Sequence, residues 1–200
     1  VVVFLPMLAL SGVAFHRKKP YLIAIVGTSF SFIALSIYGN IDWLVMIGLV
    51  VGGPLGILLA TVKPQAGALA FVAELKDKKL KEIVRFLLPV ALVVVISTII
   101  YPNWLSHMFT IRGFGSHRSL SLFPYSVPLG LWALWHSWRK GDQLWGVFGT
   151  LCLSPYLYIH SLTPLLFLAA DRHWKLGVFL NALTWIIVAL ILAGVLKIAL

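Results

Sequence analysis

The chain has 200 residues, of which 60% are hydrophobic and only 11% charged, with a mean hydropathy of +0.99 and a formal net charge of +10. A water-soluble domain carries about 25% charged residues, so this composition excludes an ordinary soluble enzyme and points to an all-α polytopic membrane protein. The positive charge does not indicate a nucleic-acid partner. The basic residues are clumped at 17–19, 76–85, 112–118, 139–142 and 172–175, at the ends of apolar runs, where cytoplasmic loops collect Lys and Arg and anionic lipid head groups attract them.

In chain order, residues 1–15 read as a short or truncated span, ending at a basic turn, 16–20. Because the chain opens on Val1 inside an apolar run, it reads as one transmembrane domain over 1–200 whose N-terminal part lies upstream. Residues 21–39 form a full-length second segment, and Asn40-Ile41-Asp42 a short turn. The third segment, from Trp43 to about Leu75, is too long for one straight span and is broken at Gly52-Gly53-Pro54 and at Lys63-Pro64. Residues 76–85 are strongly basic, with an apolar face suited to lying on a membrane surface. A fourth segment covers 86–101, a polar connection 102–119, and a fifth segment 120–138 ends at the turn 139–142. The sixth, 144–170, is interrupted by Ser154-Pro155 and by 160–164. A charged turn, 171–175, leads to the seventh, 176–196. About seven transmembrane segments with broken helices result.

Lys and Arg in short loops set the orientation. With 17–19 in the cytoplasm, 40–42 lies outside, 76–85 inside, 102–119 outside and 139–140 inside. Two routes are open for the sixth segment. It crosses once, leaving 171–175 outside, or it bends at 154–164 and returns. The charge rule favours the return, although both limbs are then short.

Three constellations carry candidate chemistry. Lys63-Pro64-Gln65 sets a cation, a residue without an N–H and an amide between apolar runs. Lys63 is a compact phosphate ligand and Gln65 a hydrogen-bonding partner for a sugar or head group; the plain alternative is a lysine snorkelling to a nearby interface. Tyr156, Tyr158 and His160, bracketed by Pro155 and Pro164, suit a polar cavity, or equally an interfacial tyrosine pair with a locally bonded histidine. Arg112, His117 and Arg118 lie among glycines in the external connection, where arginine forks suit anionic groups; a solvated loop is the alternative. There is no paired-carboxylate pattern, no metal-ligand spacing, no phosphate-binding loop and a single cysteine, Cys152, so neither a cofactor nor a metal is expected.

The stretch Gly56-Ile57-Leu58-Leu59-Ala60-Thr61-Val62-Lys63-Pro64-Gln65, followed by an apolar run and a basic cluster, resembles glycosyltransferase family 87. Ser116-His117-Arg118-Ser119-Leu120 and the run from Leu153-Ser154-Pro155-Tyr156 through His160 look similar to two further stretches of that family, so the resemblance spans roughly 48–167. It implies a C-type, multi-span glycosyltransferase of the bacterial inner membrane and cell envelope, moving a hexose such as mannose from a polyprenyl-phosphate donor to a lipid or glycan acceptor. Lys63, Gln65, Arg112, Arg118, Tyr158 and His160 are then the substrate-binding residues. The class places its catalytic acid in a first external loop, here upstream of Val1, and Asp42 does not match that motif. The other readings are a transporter or flippase-like protein and an inactive membrane scaffold.

Overall fold

The computed structural model of the protein describes residues 4–103 and 119–195. Among these residues the chain is helical and contains no strand. The helices are α1 (Phe4–His16), α2 (Tyr21–Gly27), α3 (Phe30–Ile37), α4 (Asp42–Val51), α5 (Gly53–Thr61), α6 (Val72–Leu75), α7 (Leu80–Ile100), α8 (Val127–Lys140), α9 (Gln143–Leu153), α10 (Thr163–Arg172) and α11 (Trp174–Leu192). Three 3-10 turns, Pro64–Ala66, Ala68–Phe71 and Ile159–Leu162, fill the breaks.

Among the described residues, two helices are long and apolar enough to cross a membrane, α7 and α11, with mean hydropathies of 2.6 and 2.1. A third crossing of that length exists if α3 and α4, which meet at 117°, are counted as one broken span. The expectation of about seven spans is therefore not met by helix length. The reason is local. The runs 21–39, 43–75 and 144–170 contain small polar residues, glycines or prolines that end a helix, and the freed backbone groups are satisfied in place. The run 21–39 breaks at Thr28-Ser29, where Ser29 Oγ accepts the Phe32 N–H at 3.2 Å and so caps α3. The carbonyls left at the end of α2 receive donors from α11, with Asn181 Nδ2 on the Ile25 oxygen at 2.9 Å and Trp185 Nε1 on the Thr28 oxygen at 3.0 Å. A break inside an apolar body persists only when neighbouring protein pairs the freed backbone groups, and here it does.

The predicted third segment is three legs. Helix α4 ends at Gly52, whose φ of +67° suits glycine. Pro54 then starts α5 in the opposite direction. Glu74 Oε2 accepts the Gly53 N–H at 2.9 Å and closes this reversal from the third leg. The two antiparallel legs touch at glycines. A Cβ on Gly48 would lie 2.6 Å from the Gly56 oxygen, and one on Gly56 2.5 Å from the Gly48 oxygen. After Lys63 the chain runs back through the two 3-10 turns and α6. Three legs carry the chain from the end that holds Asp42 to the end that holds Glu74 and the basic residues after it.

The second half of that basic stretch belongs to the first turns of α7, rather than forming a separate surface helix. Only 6% of the apolar window of α7 is buried, against 17% for α11. Apolar surface of that extent suits contact with lipid or with another protein surface. The core lies between the shorter helices, around Leu10, Leu22, Phe32, Met46, Phe71 and Phe167, all at most 1% exposed.

The sixth predicted segment bends and returns. Helix α9 starts at the Asp142 cap, whose carboxylate accepts the Leu144 N–H at 2.8 Å, and α10 comes back to Arg172. Lys19 Nζ donates to the Asp171 carboxylate at 2.8 Å, and Arg172 pairs with Asp142. Gln143 Nε2 donates to Glu74 Oε1 at 2.9 Å. These contacts gather the turns at 17–19, 74–79, 139–143 and 171–172 on one basic face. Cysteines placed singly at Lys79, Lys140 and Lys175 in a Cys152→Ser background should therefore all be modified by an impermeant maleimide from the same side of sealed vesicles. Modification of any one from the opposite side alone would contradict this arrangement.

Candidate functional site

Three chain breaks converge away from the basic face: the α3–α4 turn, the end of α5, and the segment between α9 and α10. The turn Ile159–Leu162 packs on α3 and touches the turn Pro64–Ala66. Helix α4, with ten residues, and α5, with nine, are each about 15 Å long, about half the ~30 Å hydrocarbon thickness of a bilayer.

Lys63 lies two residues beyond the end of α5, where the following Pro64 disfavours helical backbone, and the Lys63 carbonyl accepts from Ala66 N–H at 3.0 Å. Its side chain is 10% exposed, and its ammonium is fully engaged. Nζ lies 2.7 Å from Asp42 Oδ1 and 2.8 Å from Asp42 Oδ2, and it donates to Asn40 Oδ1 at 2.9 Å. Asp42 is completely buried as the first residue of α4, where the helix dipole favours a carboxylate. Lys63 therefore does not snorkel. It is the inward half of a buried ion pair, and the carboxylate offsets a charge that would be costly alone.

His160 extends the network. Its Nε2 lies 2.7 Å from Asn40 Nδ2 and 3.8 Å from Asp42 Oδ2. The orientation of the Asn40 amide follows from Lys63, because a flipped amide would point N–H groups at an ammonium. Asn40 Nδ2 is then the donor, and His160 Nε2 accepts with the proton on Nδ1. The Tyr158 ring lies almost parallel to His160, 12° apart with centroids at 5.4 Å, and Tyr156 sits at 6.3 Å from Tyr158.

The segment holding these rings is tied to the end of the polar connection. Leu120 N–H donates to the Leu157 oxygen at 2.7 Å, Leu157 N–H to Ser119 Oγ at 3.1 Å, and Ser121 Oγ to the Ser154 oxygen at 2.6 Å. Of the residues predicted from sequence, Lys63, Tyr158 and His160 thus come together. Gln65 is half-buried on the adjoining turn, and among the described residues no hydrogen bond joins it to the cluster. Arg112 and Arg118, with His117, lie outside the described residues.

Sequence reasoning missed Asn40 and Asp42, which it took for a turn. The available signal was scarcity: Asp42 is one of six acids in the chain, and it stands alone between apolar runs. Chemically, the site is polar but charge-balanced. It offers an ammonium, a carboxylate, an amide and a neutral imidazole beside an aromatic face. Among the described residues, no group of three or more His, Cys, Asp or Glu is placed to hold a metal ion.

No protein-family model, curated protein or solved structure matches the chain.

Proposed function

We propose that the protein is a membrane glycosyltransferase of the bacterial inner membrane, in which the Asn40–Asp42–Lys63–His160 cluster lines the site for the sugar-phosphate head of a polyprenyl-phosphate donor. The observation that supports this reading is the buried, charge-balanced network beside the stacked Tyr158 ring. A hexose presents hydroxyls that both donate and accept, and an apolar ring face that packs on aromatics. A neutral cluster of mixed donors and acceptors suits such a group better than it suits a free anion. Lys63 binds the donor phosphate by exchanging its Asn40 contact for a phosphate oxygen while it stays paired with Asp42, and Arg112 and Arg118 help to hold the anionic head group, as the resemblance implies. Gln65 contributes from the adjoining turn. The acceptor is a lipid or glycan hydroxyl.

The test is transfer of labelled mannose from polyprenyl-phosphate-mannose by the intact protein in proteoliposomes. Lys63→Ala should lower transfer about 10- to 100-fold, the equivalent of one charge-assisted hydrogen bond. Asp42→Asn/Lys63→Gln, which keeps the charge balance, should remain folded and be similarly impaired. Wild-type transfer by both variants would sink the site. Half-length helices meeting at a buried charge also suit a transporter; substrate flux without transfer would establish that reading instead.

A further inference from the structure

Where α6 and the start of α7 face the end of α8, the basic face carries a cleft of about 680 Å³. Its apolar wall is formed by Val72, Leu75, Ile83 and Trp138, and its rim by Lys76, Lys78 and Arg139 with Asp77 as the one acid. Two of the cations are held against rings. Lys78 Nζ lies 5.6 Å from the Phe86 centroid and the Arg139 guanidinium 5.0 Å from Trp135, contacts that reduce the side-chain freedom lost on binding.

We propose that this cleft binds one anionic phospholipid, its phosphate between Lys76, Lys78 and Arg139 and an acyl chain along the apolar wall. Three observations select that occupant. The rim has three cations against one acid, so it favours an anion over a zwitterion. The wall is apolar, which a soluble phosphate cannot use. The cleft opens at the head of α7, whose outer surface continues with Val84, Leu87 and Leu88 exposed at 56%, 37% and 49%, so an acyl chain leaving the cleft meets a helix suited to lipid. The adjacent cavity of about 430 Å³ does not compete for the anion. It shares Lys76, Asp77 and Lys78 with the cleft and adds Lys140 against Glu74 and Glu82, so the cation excess lies on the Arg139 side, in the cleft. A basic pocket at the head of a lipid-facing helix is a recognised arrangement for anionic head groups. This inference is independent of the sugar-transfer reading and uses none of its residues.

Native mass spectrometry of the intact protein in detergent, with phosphatidylglycerol or phosphatidylcholine added, tests it. A single phosphatidylglycerol should be retained at collision energies that strip phosphatidylcholine. Lys78→Gln/Arg139→Gln should weaken that retention about tenfold, as expected for loss of a charge-assisted contact. Lys79→Gln/Lys81→Gln removes the same charge outside the cleft and should leave retention unchanged. Ile83→Asn keeps every cation and should still weaken it. Melting of each variant without added lipid, matched to the parent, guards against misfolding. Equal weakening in the Lys79/Lys81 control would reduce the effect to general surface charge and overturn the proposal, as would equal retention of the two lipids. Competition by soluble glycerol phosphate at the same concentration as the lipid would show the apolar wall idle, and would overturn it too.

Discussion

Asp42→Ala should be among the most damaging single substitutions in this chain. It removes a fully buried carboxylate and leaves the Lys63 ammonium, 10% exposed, with Asn40 as its remaining partner. Removing one member of a buried pair costs about 3–5 kcal/mol, because the surviving charge is left uncompensated. Replacing both members by neutral groups of similar size is far milder for the same reason. Thermal unfolding of the detergent-purified protein should therefore show a large loss for Asp42→Ala and substantial recovery in Asp42→Asn/Lys63→Gln. An Asp42→Ala protein that melts with the parent would show that the pair carries no structural weight. The comparison also separates stability from function, since the double variant keeps the fold while lacking the ammonium.

The second large effect is expected at the α4–α5 contact. Valine at Gly56 would place its Cβ 2.5 Å from the Gly48 oxygen and 2.9 Å from the Phe71 ring. The first neighbour is backbone and cannot rotate away, so the two legs must separate. Overpacking of this kind costs about 1–3 kcal/mol and sometimes more. Separation of the legs also displaces Lys63, two residues beyond α5, from Asp42, which begins α4. Gly56→Val should accordingly lower both melting temperature and sugar transfer, whereas Gly12→Val, where an added Cβ meets nothing within 4 Å, should leave both close to the parent. Equal behaviour of the two variants would mean that glycine contact does not hold the site.

Much of this was readable from residue order. Apolar runs separated by basic clumps specify helices and the side on which their ends lie, and the breaks at Gly52–Pro54, Lys63–Pro64 and Ser154–Pro155 fall where glycine and proline demand them. Thr28 and Ser29 were passed over because short hydroxyl side chains bond their own backbone and are inconspicuous inside an apolar run. The direction the chain takes after a break was not legible. A glycine permits a reversal, but whether α5 doubles back on α4 is decided by a contact between Gly48 and Gly56 and by Glu74, more than twenty residues from the turn it closes. The partnership of Asp42 with Lys63 depends on that reversal. Without it, the two residues belong to opposite ends of a single crossing, and no rule of local sequence pairs them. His160 arrives from still farther along the chain, through a bend whose two limbs are too short to stand out as spans.

Helix α5 is in effect a strut. One end is pinned by the Glu74 carboxylate, which also grips Gln143 at the start of α9, and the other carries Lys63. Helix α9 leads in turn to the segment bearing Tyr158 and His160. A single carboxylate at the basic face thus anchors both arms of the polar cluster, about 15 Å away, and a load applied to Lys63 is borne at Glu74.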